Sequence, residues 1–280
     1  VSVEIDGDEE VPTAPLPTKV KLAKDAFYIN SVNLKLLKVA AGMARDEGSA
    51  NVLLVGPSGY GKTSLAAAFA RMAGMEYVRF NCAVVRDPEE FFGIRGAANG
   101  TTTFTHTEFT RAVMAGNTVV CLDEVNRLEP WLLNALFPML DDDRSTTIHG
   151  HTITVAPNTI FVMTMNQGYR YTGTFVIDAA FSNRAHMILK VGPMDANEET
   201  TVIVHRAKIS RDVAAIIVKA ANSLRKQDLD CDVSTRMTLN VARFTRYGLS
   251  VMEAFEAAIG NNASEVDHKR LIDAVKMAVG

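Results

Sequence analysis

The chain has 280 residues, 48% of them hydrophobic, with a net charge of −3 and a pI near 6.1. That supplies apolar material for a large core in more than one compact unit, and the charge balance excludes a broad basic face for gripping nucleic-acid phosphates. No apolar stretch approaches the length of a membrane span, no secretory signal is visible, and three scattered cysteines form no disulfide framework, so a cytoplasmic, reducing location is expected.

The chain starts at Val1 without a methionine, which suggests either a trimmed chain or a piece of a longer protein. Residues 1–18 combine five acids with Pro12, Pro15 and Pro17, a composition that disfavours helix and buries little, which predicts a mobile arm. Apolar spacing from Asn33 to Arg45 predicts a helix, and Asn51–Val55 a buried strand. At 56–63 the residues read Gly-Pro-Ser-Gly-Tyr-Gly-Lys-Thr, and an Ala-rich helix is expected from Ser64 to Met72. Further strands are predicted at Glu76–Asn81, Thr118–Asp123, Thr159–Asn166 and His186–Val191. Helices are predicted between them at Glu108–Ala115, Pro130–Leu140 and Asp178–Asn183. Such alternation is the pattern of an α/β fold with a parallel sheet covered on both faces. Two separators are long: a Gly- and Thr-rich stretch between Gly93 and Thr107, and residues 144–158, whose alternation around Gly150 predicts a hairpin. After Gly192-Pro193 only helix signals follow, which sets the expected units at 1–18 (arm), 19–192 (nucleotide-binding core) and 193–280 (helical).

The run at 56–63 is a complete phosphate loop after a strand and before a helix, so the ligand class is a nucleoside triphosphate with magnesium. Gly56, Gly59 and Gly61 let the backbone of the cofactor-binding stretch Gly56, Pro57, Ser58, Gly59, Tyr60, Gly61, Lys62, Thr63 and Ser64 curl so that successive N–H groups, Pro57 having none, point at one phosphate chain at a helix N-terminus. Lys62 is expected at the β- and γ-phosphates and the Thr63 hydroxyl on Mg²⁺. Asp123 ends an apolar strand beside that loop, where a carboxylate can hold magnesium, and Glu124 directly after it is the candidate base for a water. Asn166 ends the fourth strand at the same edge, where an amide can fix the attacking water; a turn former is the other reading of that position. Hydrolysis is favoured over transfer. His149 and His151 share a strand face but lack a third ligand, so no metal other than magnesium is expected.

The phosphate loop, Leu-Asp-Glu-Val-Asn-Arg at 122–127, Met-Asn-Gln-Gly at 165–168 and Val-Ser-Thr-Arg at 233–236 together resemble the AAA+ ATPases, and specifically the MoxR branch. Glu-Glu-Phe-Phe-Gly at 89–93, Glu-Phe-Thr-Arg-Ala-Val at 108–113 and Tyr-Thr-Gly-Thr at 171–174 resemble that branch's connecting motifs. The resemblance implies a five-stranded parallel sheet of order 5-1-4-3-2, a small C-terminal helical lid, and a ring that is usually hexameric. It implies that Arg184 completes a neighbouring subunit's site, although Ala185 stands where many relatives have Phe. An arginine closing a short helix is the other reading there, and Arg127 and Arg111 are alternatives for the role. By resemblance Arg236 is the lid's sensor arginine, and Asn81 matches the residue that holds the catalytic glutamate idle, with turn formation equally open. The cofactors implied are ATP and Mg²⁺, and the partners a protein client and a protein with a von Willebrand factor A domain. The hairpin lacks a Lys/Arg cluster or aromatic platform, which favours a protein client over nucleic acid; a GTP-using relative is a further alternative.

Overall fold

The computed structural model describes residues 29–98, 101–148, 150–166, 174–175, 179–227, 229 and 231–279. The acidic arm, His149 and Tyr171-Thr172-Gly173 lie outside the described residues. In chain order the strands are β1 (Ser49–Gly56), β2 (Glu76–Asn81), β3 (Gly93–Ala98), β4 (Thr101–His106), β5 (Thr118–Asp123), β6 (Ser145–Ile148), β7 (His151–Thr154), β8 (Thr159–Asn166) and β9 (Met187–Lys190). Five of them form a parallel sheet of order β2-β5-β8-β1-β9. Numbering only those five strands, this is 2-3-4-1-5, the expected 5-1-4-3-2 read from the other edge. The register pairs Gly56 with Asn166 and Asn81 with Asp123, so all these strand ends share one edge.

Strands β1 and β5 are buried along their whole length, and their side chains alternate between two cores. Val52 and Leu54 face Leu37 of α1 (Ser31–Asp46) and Phe69 of α2 (Lys62–Ala73). Leu53 and Val55 face the opposite core with Phe91 of α3 (Pro88–Phe92) and Phe109 of α4 (Glu108–Ala115). Phe91 and Phe109 pack tilted with ring centroids 4.2 Å apart. Cys82 and Cys121 are buried, and burial pushes both thiols up, Cys121 to about 12, so they act as small apolar residues.

The predicted helix at Pro130–Leu140 is two short ones, α5 (Pro130–Asn134) and α6 (Phe137–Leu140). Pro138 has no N–H to continue the first helix, but at the start of a new one nothing is lost. Between Gly93 and Thr107 the chain forms the antiparallel pair β3–β4, and β6–β7 is the hairpin expected around Gly150, whose φ is 79°. The two hairpins meet where Phe104 stacks on His151, with ring centroids 4.3 Å apart.

After α7 (Ala179–Ser182) come α8 (Ala196–Ala207), α9 (Arg211–Arg225), α10 (Thr235–Arg246), α11 (Val251–Ala258) and α12 (Glu265–Val279), which share a core of their own including Ile203, Ile217, Leu224, Phe255 and Val275. Within it the fully buried Glu199 takes both terminal nitrogens of Arg225, at 2.5 and 2.8 Å, and the Thr238 hydroxyl at 2.9 Å. Arg225 also donates through Nε to the Val233 carbonyl, at 2.7 Å, which fixes the turn leading into α10.

Candidate active site

The carboxyl ends of β1, β5 and β8 surround a cavity of about 190 Å³, closed on one side by the start of α10. Its lining includes Ser58, Gly59, Gly61, Lys62, Thr63, Ser64, Asp123, Glu124, Asn166 and Arg236, all singled out by the sequence, along with Asn81. Gly56 and Pro57 lie just behind, where their carbonyls each accept from Lys62 Nζ at 2.8 Å. Gly56 ends β1, and a Cβ there would fall on the Val191 carbonyl, so this glycine serves the approach of the strand edge next to β9. Gly59 has φ 82°, and a Cβ there would overlap the Ser234 hydroxyl. The phosphate loop and the turn before α10 therefore touch backbone to side chain. Two further bonds join them: the Arg236 N–H donates to the Gly59 carbonyl at 3.2 Å, and the Tyr60 hydroxyl to the Val233 carbonyl at 3.2 Å. Tyr60 thus turns toward the helical part rather than into the cavity.

Lys62 is almost fully buried, and its third bond goes to Asn166 Oδ1 at 2.8 Å. Burial pulls its pKa down to about 8, with Arg236 acting in the same direction and Asp123 and Glu124 opposing. Asn166 Nδ2 donates to Glu124 Oε1 at 3.1 Å, and the Asn126 amide donates to the Asn166 carbonyl at 3.1 Å. The amide of Asn166 therefore links the loop lysine to the glutamate.

Glu124 holds φ 57° and ψ 48°, left-handed backbone that is uncommon for a residue with a Cβ. This sharp turn follows the end of β5, and the Thr164 hydroxyl secures it by accepting from the Glu124 N–H at 2.9 Å. The same hydroxyl donates to Asp123 Oδ1 at 2.6 Å, where Thr63 Oγ1 also donates at 2.8 Å. Arg79 Nε and Nη2 both reach Asp123 Oδ2, at 3.0 and 2.5 Å. A buried carboxylate beside a hydroxyl is a hard oxygen donor set that suits Mg²⁺. Among the described residues no cluster of three His, Cys, Asp or Glu side chains could hold another metal.

Arg127 Nε pairs with Glu124 Oε2 at 2.9 Å. Asn81 Oδ1 accepts from the Ala83 N–H at 3.1 Å, an Asx turn, although the residue also lines the cavity. Arg79 and Thr164 were not singled out by the sequence. Both sit inside apolar strand runs, and the available signal was period two: Arg79 shares a strand face with Asn81, and Thr164 with Asn166.

Arg184 lies elsewhere. Its Nε and Nη2 pair with Asp141 at 2.8 and 2.9 Å, its guanidinium sits 4.0 Å from the centroid of the Phe137 ring, and its carbonyl accepts from Asn51 Nδ2 at 2.8 Å. Asn51 is fully buried; its amide also donates to the Leu140 carbonyl at 2.7 Å, and its Oδ1 accepts from Arg144 at 3.1 Å. Asn51 and Gly56 are five residues apart on β1, about 17 Å at ~3.3 Å per residue. Arg184 is thus anchored at the opposite sheet edge from the cavity.

Residues 51–185 match the AAA domain (dynein-related subfamily), and residues 199–280 match the CbbQ/NirQ/NorQ C-terminal family. The chain is 30% identical to the chaperone candidate BssE of Thauera aromatica over 244 residues, 86% of this chain and 84% of that protein. It is 30% identical to NorQ of Paracoccus denitrificans over 215 residues, 74% of this chain and 78% of the relative. Among solved structures, a RuvB mutant of Thermotoga maritima superposes with TM-score 0.57 at 19% identity, covering 91% of this chain and 72% of that one. At that identity the likeness is one of fold.

Proposed function

The chain belongs to the MoxR-type AAA+ ATPases, enzymes that hydrolyse ATP, and from that premise we propose that it works as a ring, six-membered as is usual in this family, whose hydrolysis drives its two hairpins against a protein client. In this reading residues 19–192 are the catalytic core and 193–280 the lid.

Glu124 orients and deprotonates the attacking water, and Asn166 holds that water and the Glu124 carboxylate in one frame. Lys62 and Arg236 offset the charge that develops on the phosphates, from the core side and the lid side respectively. Thr63 and Asp123 would hold Mg²⁺, which when bound neutralises phosphate oxygens. Lys62, with its pKa near 8, carries its charge at neutral pH.

The observation that carries the intersubunit reading is the anchoring of Arg184 at the far edge of the sheet, where it cannot serve its own cavity. A protein client is supported by the chaperone-like description of BssE and by the residues of β6 and β7, which include no Lys or Arg for a phosphate backbone. The Glu124→Gln protein loaded with ATP should form stable oligomers and retain its client, with a von Willebrand factor A domain protein as the partner that the family resemblance points to. A variant that stays monomeric with ATP, or turnover per subunit that is flat on dilution through the assembly range, would overturn the ring. DNA-stimulated, salt-sensitive turnover would favour a nucleic-acid motor, and faster GTP than ATP turnover a guanine-nucleotide enzyme.

A further inference from the structure

Asp123 is 5% exposed, and its two oxygens are divided between different kinds of donor. Oδ1 takes the hydroxyls of Thr63 and Thr164, while Oδ2 takes two nitrogens of Arg79. Arg79 reaches across from β2, the edge strand, and its side chain is 51% exposed, so it can swing aside at little desolvation cost. The carboxylate has no such freedom. Left without a cation it would be a buried charge with only hydroxyl partners, which is costly. Arg79, Thr63 and Asp123 also line the same cavity.

We propose that Arg79 is a positioning residue that competes with magnesium for Asp123, neutralising the carboxylate when no metal is bound and turning toward the phosphates when the metal takes the oxygen. The proposal rests on reading Asp123 as the magnesium acid. A magnesium ion held by Asp123 and Thr63 would share one carboxylate with the Arg79 guanidinium on Oδ2, and like charges a few ångströms apart repel strongly wherever water is partly excluded, so each weakens the other's hold. Arg79 therefore sets how much magnesium the site demands. In the metal-free site it cancels the Asp123 charge, which would otherwise repel nucleotide phosphates.

The test is calorimetric binding of ADP to wild type, Arg79→Met and Arg79→Lys, in EDTA and across a magnesium titration, with the Mg²⁺ concentration for half-maximal tightening as readout. Arg79→Met should lower that midpoint by roughly tenfold or more, the size of effect that a neighbouring arginine exerts on a proton competing for a carboxylate. In EDTA the same variant should bind ADP more weakly than wild type. Arg79→Lys keeps the charge, loses the two-nitrogen contact and should shift the midpoint the same way by a smaller factor, which keeps the test open if Arg79→Met does not fold. A midpoint unchanged or raised in both variants overturns the proposal, because a residue that merely supports the fold or binds phosphate would not tighten magnesium when removed. Wild-type ADP affinity indifferent to magnesium would instead overturn the reading of Asp123 itself, and the proposal with it.

Discussion

Lys62 Nζ and Asn166 Oδ1 are joined by a 2.8 Å hydrogen bond, and the other end of the same amide holds Glu124 at 3.1 Å. One side chain from β8 thus sets the spacing between the Lys62 ammonium and the Glu124 carboxylate, the proposed phosphate cation and the proposed base for water. Asn166→Ala should leave ADP affinity within a few-fold of wild type and cut turnover by about 100-fold or more, the range of a misplaced general base. Phosphate release at saturating ATP, read beside ADP calorimetry, separates the two effects; turnover near wild type would remove Asn166 from the frame.

Lys62 gives the site a pH dependence with a defined sign. Its pKa falls from the ordinary 10.5 to about 8 through burial. Between those two values the unfolded chain keeps a proton that the folded chain has shed, so this group stabilises the free protein progressively as pH rises through that window. Phosphates favour the charged form, so ADP binding just above pH 8 should take up a proton. Calorimetry in two buffers of different ionisation heat reads the uptake directly, and binding without it would place Lys62 away from the phosphate chain.

Gly59 offers a steric test of the contact between the phosphate loop and the turn before α10. Gly59→Ala combines φ 82° with overlap on Ser234, and should lower the stability of the free protein by about 1–3 kcal/mol. ADP affinity should fall as well, because Arg236 is hung from the Gly59 carbonyl. Adding Ser234→Gly removes the overlap but not the backbone strain, so it should recover part of both losses. No recovery would mean that the two segments do not stay in contact in solution.

Glu199→Ala strips a fully buried carboxylate from Arg225 and Thr238. Leaving that guanidinium without its partner should cost about 3–5 kcal/mol. Urea unfolding measures this, and a change below 1 kcal/mol, on the order of an exposed pair, would show the network to be open to water.

For Arg184 the decisive experiment mixes two inactive proteins. Arg184→Ala should bind ADP normally and lose about 10³- to 10⁵-fold in turnover, the weight of an arginine finger. Glu124→Gln should be inactive for a different reason while still carrying Arg184. Mixed, the pair should regain activity, since a Glu124→Gln subunit can lend its arginine to an intact cavity next door. Failure to complement at any ratio, with mixed oligomers verified, would return Arg184 to a local role with Asp141.

Contiguous chemistry was the most readable part of this chain. A phosphate loop between a strand and a helix, and two acids closing an apolar run, need only local sequence to be recognised, and the alternation of apolar runs led to the sheet. What stayed hidden depends on partners far apart in sequence. Arg79 reads as a polar position on an edge strand until β5 is laid beside β2 with Asn81 opposite Asp123. Thr164 reads as a β-former until Asp123 and the Glu124 N–H are found on its hydroxyl. Gly59 looked like a phosphate-loop requirement, yet its most crowded neighbour is Ser234, 175 positions later in the chain. The predicted Pro130–Leu140 helix overlooked the interruption at Pro138, where apolar spacing outweighed a missing N–H.

The anchoring of Arg184 by Asn51 at the end of β1 remote from Gly56 has a consequence for counting. If each subunit presents a cavity at one end of its sheet and the completing arginine at the other, an open row always leaves the cavity at one end without an arginine and the arginine at the other end without a cavity. Closing the row removes that deficit. A population of short arcs should therefore contain a fixed burden of idle sites, one per arc, and the fraction of working sites becomes a measure of closure in its own right.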